Sequence, residues 1–193
     1  MPKRLAVLCS GNGSNFEAIL TAIRRKKLRA QVAVMVSDNP SAFAIQRARR
    51  AGIPAAILPP KRFSSRSEHE KLIVSILRAL QVDLVVLAGY MRILTPYFIR
   101  CYKGRILNIH PSLLPAFKGA HAIRDAFEAG VRETGVSVHV VTVALDAGPV
   151  LARAKVKRSS RDTLESLEKK IHRAEYKLYA GAIGAYLRKL KRA

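Results

Sequence analysis

The run Leu5-Ala6-Val7-Leu8-Cys9, followed by Ser10-Gly11-Asn12-Gly13-Ser14-Asn15 and then by the periodic stretch Asn15 to Arg25, decides the fold. Five apolar residues without polar alternation read as a strand covered on both faces, the environment of a parallel sheet. The glycines permit a tight turn, and the helix after it presents free backbone N–H groups at its N-terminus, a favourable place for phosphate. The same loop read alone is equally an ordinary turn. A dinucleotide fingerprint asks for a third glycine where Phe16 stands, and a Walker loop for Gly-Lys-Ser/Thr, which is missing.

Working outward, Val32 to Ser37, Ala55 to Leu58, Leu84 to Leu87 and Ile106 to Ile109 repeat the short apolar pattern. Ala42 to Ala51, Glu68 to Leu80 and Pro96 to Tyr102 carry helical periodicity between them. This alternation predicts a doubly wound α/β fold with a mostly parallel sheet and right-handed crossovers. After Ile109 the pattern changes: Val136 to Val143 and Val150 to Val156 are β-rich and flank Ala144 to Pro149, which predicts a late antiparallel pair with a wide loop. A long C-terminal helix is expected from near Asp162, with Leu164, Leu167, Ile171, Ala174 and Leu178 at three-four spacing and Asp162 and Glu165 as its caps. The chain of 193 residues shows no repeat or linker, so one domain over residues 1–193 is expected.

The segment Asn108-Ile109-His110-Pro111-Ser112-Leu113-Leu114-Pro115 falls at the C-terminal end of the fifth expected strand, where open α/β sheets place their ligands. Strand alternation puts Asn108 and His110 on one face and Leu107 and Ile109 on the other, with Pro111 ending the ladder. An amide that donates to an oxyanion beside an imidazole that moves a proton suits a tetrahedral acyl-transfer intermediate. A lone strand-end histidine is more often a satisfied core residue, and Asn108 is what raises this one above that reading. Asp146 is by itself a turn aspartate beside Gly148 and Pro149; folded back over the strand end, its carboxylate would stabilise an imidazolium. His69, His110, His121, His139 and His172 are scattered, so no metal is expected. Neither Cys9 nor Cys101 has nucleophile or redox spacing, and there is no serine elbow.

Lys and Arg number 35 against 13 Asp and Glu, a formal charge of +22. Such a balance raises nucleic acid, membrane surface and anionic small molecules as partners. The basic residues are dispersed (Arg24 to Lys27, Arg47 to Arg50, Lys155 to Arg158, Arg188 to Arg192), few aromatics lie beside them, and no DNA- or RNA-binding signature is present, so a solvated basic surface is expected. The N-terminal apolar run is too short for a secretion signal, no run approaches membrane-span length, and the cysteine usage suits a reducing cytoplasm.

Gly11 to Asn15, Leu87-Ala88-Gly89-Tyr90-Met91-Arg92-Ile93-Leu94, Asn108 to Pro115 and Leu145 to Pro149 together resemble the phosphoribosylglycinamide formyltransferases, a branch of the folate-dependent formyltransferase family, over nearly the whole chain. The resemblance implies transfer of a formyl group from 10-formyltetrahydrofolate, as co-substrate, to the amine of phosphoribosylglycinamide in purine biosynthesis. It implies Asn108, His110 and Asp146 as catalytic residues and Gly13, Ser14, Asn15 and Glu175 as phosphoribosylglycinamide-binding residues. Arg66, Met91, Arg92, Ile93, Leu94 and Asn108 would contact folate. The partners are then small molecules rather than nucleic acid or membrane, met by a cytoplasmic monomer or homodimer, and the basic charge would steer both anionic substrates. Val143, Ala144 and Ala147 depart from the family pattern in the folate loop.

Three other readings share features with this one. A formyltetrahydrofolate hydrolase would keep the Asn, His and Asp set without an amine acceptor and normally carries a further domain. A methionyl-tRNA formyltransferase would use the charge for tRNA and need a C-terminal domain. A basic nucleic-acid-binding α/β module would use the glycine loop on backbone phosphates.

Overall fold

In the computed structural model, which describes residues 1–190, seven strands form one sheet: β1 (Lys3–Leu8), β2 (Ala30–Ser37), β3 (Ala55–Ile57), β4 (Leu84–Leu87), β5 (Ile106–His110), β6 (Glu133–Val140) and β7 (Val150–Lys157). Their order is β3-β2-β1-β4-β5-β6-β7. The pairs from β3 through β5 are parallel, and β6 and β7 are antiparallel. The direction of winding reverses between β1 and β4, which makes their C-terminal ends the crevice of the fold.

Six helices complete the described chain: α1 (Ser14–Arg24), α2 (Ala44–Arg50), α3 (Arg66–Ala79), α4 (Pro96–Cys101), α5 (Ala122–Glu128) and α6 (Leu164–Lys189). The apolar residues of α1, α2 and α6 pack on one sheet face with Leu5, Val7, Leu84, Val86, Leu107 and Ile109. Ile73, Val74 and Leu77 of α3 and Phe98 and Ile99 of α4 pack on the other with Leu8, Val85 and Ile106. Strands buried on both faces explain why the runs of β1, β2, β4 and β5 are apolar without alternation, whereas β3 is an edge strand left partly exposed. No helix is long and apolar enough to cross a membrane among the described residues.

Helix α6 buries Leu167, Ile171, Tyr179, Ile183 and Leu187 along one stripe, each apolar side chain contributing about 1.5–3 kcal/mol. The fully buried Tyr179 hydroxyl lies 2.8 Å from the Leu87 carbonyl and 3.1 Å from that of Leu107, tying this helix to the ends of β4 and β5. The expected caps of α6 are not the ones used. Thr163 is the N-cap, its hydroxyl accepting the Ser166 N–H at 3.2 Å. Asp162 instead accepts from the Ser159 N–H and Ser166 hydroxyl and pairs with Lys170, while Glu165 pairs with Lys169. A threonine hydroxyl one residue closer to the first turn reaches the orphan N–H better than either carboxylate. Of the C-terminal basic cluster, Lys191 and Arg192 lie outside the described residues.

Two further differences bear on the site. Helix α5 carries no expectation from sequence; of its seven residues only Ala122 and Ala126 are buried. The expected strand Val136 to Val143 begins three residues earlier and ends at Val140. Val143 and Leu145 stand 63% and 50% exposed, so these apolar residues belong to a rim rather than to the ladder. The β6–β7 register shifts at Val138/His139 and turns the chain away there.

Gly135 lies where β6, β7 and the loop after β5 meet. A Cβ at this position would overlap the Ala154 carbonyl oxygen and stand 2.7 Å from Leu113 Cδ2. Gly135→Ala is expected to lower unfolding free energy in urea by about 1–3 kcal/mol; unchanged stability would mean that β7 is not held against β6 as described.

Candidate active site

The C-terminal ends of β1, β4 and β5 and the loop after β6 enclose a cleft of about 550 Å³. One wall is the glycine turn. Gly13 adopts a left-handed conformation (φ 71°, ψ 29°), and no side chain caps α1, leaving the first amides of that helix turned to the cleft. A Cβ on Gly13 would come within 2.7 Å of the Ala44 Cβ, so only glycine lets this turn sit against α2. Asn15 is 8% exposed; its Nδ2 donates to Glu175 at 3.0 Å, and its buried Oδ1 has no hydrogen-bond partner.

Glu175 reaches the same wall from α6 and accepts from His172 Nδ1 at 2.9 Å. That hydrogen bond raises the His172 pKa above the ordinary imidazole value against the opposing effect of burial. A titratable cation thus stands beside the uncapped end of α1.

The second wall is the 89–94 segment. Ser10 ties it to the first, its hydroxyl accepting the Met91 N–H at 2.9 Å. Glu70, buried on α3, accepts from the N–H and hydroxyl of Thr95 and fixes the far end of the segment. Met91 and Ile93 are left 74% and 60% exposed, which gives the cleft an apolar lip facing Val143 and Leu145.

At the floor, Asn108 and His110 project to the same side of β5. His110 is 4% exposed. Its Nε2 lies 2.8 Å from the Phe117 carbonyl and its Nδ1 lies 3.5 Å from Asp146 Oδ2, so the ring stands between a carbonyl and a carboxylate. Asp146 is held in a left-handed turn (φ 46°) and accepts the Gly119 N–H at 3.0 Å. Burial works against its ionisation, but the hydrogen bond from His139, the Gly119 amide and the charges of His110 and His139 outweigh it, holding the carboxyl below its usual range.

His139 completes this arrangement and was not among the residues expected from sequence. It lies opposite Asn108 in the antiparallel β5–β6 register, with Nε2 at 3.2 Å from Asn108 Nδ2 and 3.5 Å from Asp146 Oδ1. Its Nδ1 lies 3.2 Å from the Val140 carbonyl, so the ring stands fixed between the Asn108 amide and the Asp146 carboxylate. No local pattern marks it, because the register that sets His139 opposite Asn108 joins residues 31 apart on different strands. His172 also went unassigned, although it lies three residues before Glu175 on one helical face.

The cleft lining brings together Gly13, Ser14, Asn15, Met91, Arg92, Ile93, Leu94, Asn108, His110, Asp146 and Glu175 from five separate segments. Arg66 is not part of that lining. It is the first residue of α3, and its Nε stands 3.9 Å from Glu70 with the side chain 44% exposed. The departures from the family pattern, Val143, Ala144 and Ala147, are all exposed on the loop that carries Asp146. Cys9 is buried at the end of β1, where burial pushes its thiol up to about 12 and leaves it unreactive. Among the described residues no group of three or more His, Cys, Asp or Glu side chains is placed to hold a metal ion.

The class of protein is set by a doubly wound sheet whose crevice holds an uncapped glycine turn on one side and an Asn, His and Asp set on the other. Residues 3–183 match the formyl transferase family, and the chain belongs to it. It is 43% identical over 181 residues to the phosphoribosylglycinamide formyltransferase of Bacillus subtilis, covering 94% of this chain and 93% of that one. It superposes on the crystal structure of glycinamide ribonucleotide transformylase 1 from Geobacillus kaustophilus with a TM-score of 0.95 at 45% identity, covering 97% of this chain and 100% of that one. It is also 40% identical, over 94% of its length, to a segment making up 14% of the trifunctional purine biosynthetic protein adenosine-3 of Drosophila melanogaster.

Two titrations check the electrostatics. The raised His172 value means that the His172–Glu175 pair stabilises the fold fully below the ordinary imidazole value, and this contribution is lost as pH rises through the raised one. The depressed Asp146 value has the opposite sense: its contribution is present above the ordinary carboxyl value and is lost as pH falls through the lowered one. NMR titration of His172 should give a midpoint above that of an exposed imidazole, moving down in Glu175→Gln; an unshifted wild-type midpoint contradicts the pairing.

Proposed function

We propose that residues 1–193 work as one cytoplasmic formyltransferase domain, as a monomer or homodimer, that moves the formyl group of 10-formyltetrahydrofolate to the amine of 5-phosphoribosylglycinamide. The observation that carries this reading is the meeting of two half-sites in one cleft: the uncapped α1 turn with Asn15 and Glu175, and the Asn108, His110, His139 and Asp146 cluster. The first suits a phosphorylated sugar, whose anion takes the free amides of α1 and whose hydroxyl donors satisfy the orphan Asn15 Oδ1. The second suits charge that develops on a carbonyl oxygen.

The two relatives named for the same transfer are similar over nearly their whole length, which supports the assignment of substrates. Folate would lie along Met91 to Leu94 under the Val143–Leu145 rim, where an apolar lip suits an aromatic ring system. Arg66, outside the cleft and exposed, would meet the carboxylates of the folate tail rather than its rings.

The transfer then needs no nucleophile from the protein and no metal. The neutral amine of the acceptor attacks the formyl carbon, and the carbonyl oxygen becomes an oxyanion. Asn108 Nδ2 and the His110 imidazolium donate to that oxygen. Both donors are engaged in the structure, by His139 and by the Phe117 carbonyl, so the substrate oxygen replaces the latter. As the intermediate collapses, the bond to the folate nitrogen breaks, the attacking amine loses a proton, and the folate nitrogen gains one by way of His110. Asp146 orients the ring, and His139 orients the amide toward the oxyanion.

Purified protein should convert the two substrates with strict dependence on the acceptor and without effect of chelator. Asn108→Ala and Asp146→Asn should each depress kcat by about 10²–10³ while melting near the wild type. Formate release without acceptor would replace the reading with a hydrolase, and wild-type turnover in either folded variant would remove that residue from the mechanism.

A further inference from the structure

The anion-accepting turn is not self-supporting. Three contacts tie it to the short helix α2, and all lie within one turn of that helix. The Ala44 N–H donates to the Gly11 carbonyl at 3.2 Å, the Gly13 Cα packs on Ala44, and the Arg47 guanidinium reaches across to Asn12. This last contact is two-pronged: Nε donates to the Asn12 carbonyl at 2.9 Å and Nη2 to Asn12 Oδ1 at 2.8 Å. The remaining prong, Nη1, lies 3.4 Å from Glu17 Oε2, and the Phe43 ring stacks under the guanidinium at 4.9 Å from its centroid. A planar fork with five donors makes these contacts at once; a lysine ammonium does not.

The chemistry of these contacts has two consequences for the cleft. With Oδ1 of Asn12 taken by Arg47, the amide group of this cleft-lining residue presents its Nδ2 donors away from Arg47, and its own backbone is pinned where the turn begins. Glu17 sits in the first turn of α1, the one place on that helix where a carboxylate opposes a bound anion. Arg24 at 2.8 Å and Arg47 neutralise it and together hold its carboxyl below the usual range, with the Arg24 hydrogen bond the larger influence. No other charged side chain is paired with Glu17 among the described residues.

We propose that Arg47 is a positioning residue for substrate phosphate: it shapes the glycine turn through Asn12, directs the Asn12 amide to the anion, and cancels the Glu17 charge that would repel it. This deepens the functional reading above and rests on it for the identity of the phosphorylated acceptor. Arg47 touches neither folate walls nor the Asn108 cluster, so its influence falls on the phosphate end alone.

The test compares Arg47→Ala and Arg47→Lys with the wild type in two assays. Steady-state kinetics should show KM for phosphoribosylglycinamide raised by about tenfold or more in Arg47→Ala and less in Arg47→Lys, with kcat and the KM for 10-formyltetrahydrofolate within about twofold. Inorganic phosphate, titrated into each protein by calorimetry, should bind more weakly in the same order. That second assay does not depend on turnover, so failure of the transferase reading appears as an inactive wild type while the role of Arg47 is still read from phosphate. An unchanged acceptor KM and unchanged phosphate affinity in folded Arg47→Ala overturn the proposal, as does a fall in kcat that raises both KM values alike. Should Arg47→Ala fail to fold, Arg47→Lys decides by the same two readings.

Discussion

The Asp146 carboxylate is the interaction on which the site depends. It is drawn into contact with two histidines on adjacent antiparallel strands and with the Gly119 amide of the loop that covers them. A carboxylate taken this far out of water keeps its charge only where several donors surround it. Those donors in turn keep their orientation only because the charge is there. His110 is held between Asp146 and the Phe117 carbonyl, His139 between Asp146 and Asn108, so one anion arranges an imidazolium and an amide toward the same point. The left-handed backbone at Asp146 is tolerable for an aspartate and lets the 141–149 loop double back over the strand ends.

The sheet supplies the frame for that interaction. Because β1 and β4 are neighbours in space but their connections run to opposite faces, nothing crosses above their C-terminal ends, and the cleft opens there. Tyr179 links β4 and β5 from beneath with one hydroxyl, while Glu70 and Ser10 hold the 89–94 segment from either side. Polar ties also close the opposite end of the sheet, where Asp83 accepts from Lys3 Nζ and the Arg4 N–H, and apolar packing on both faces holds the centre.

The two ends of the cleft differ in how they handle charge. At the floor, charge is balanced internally among Asp146 and its histidines. At the glycine turn the donors are backbone amides, and the nearby carboxylates, Glu17 and Glu175, are each paired with a basic side chain. This leaves a bound anion to meet amides and cations. The formal charge of +22 is screened by salt beyond about 10 Å at 0.1 M, so at longer range it acts on an anion only at low ionic strength.

Much of this was legible in the residues. Five apolar runs at βαβ spacing fix a parallel sheet because burial on both faces demands apolar residues at every position, and Asn108 and His110 fall at a strand end by that same count. The left-handed backbone at Gly13 is likewise encoded by the residue that adopts it, although the seat of the turn against α2 is not. What tertiary structure alone decided is every relation between segments far apart in the chain. His139 enters the site through antiparallel register with Asn108, Glu175 reaches Asn15 across 160 residues, and Arg47 reaches the turn from another helix. The rim residues Val141 to Val143 read as strand because apolar β-branched composition reports a surface to be covered but not what covers it. Local pattern records the periodicity of burial; which polar groups meet depends on how the packed layers bring distant chain ends together, and no window of sequence contains that distance.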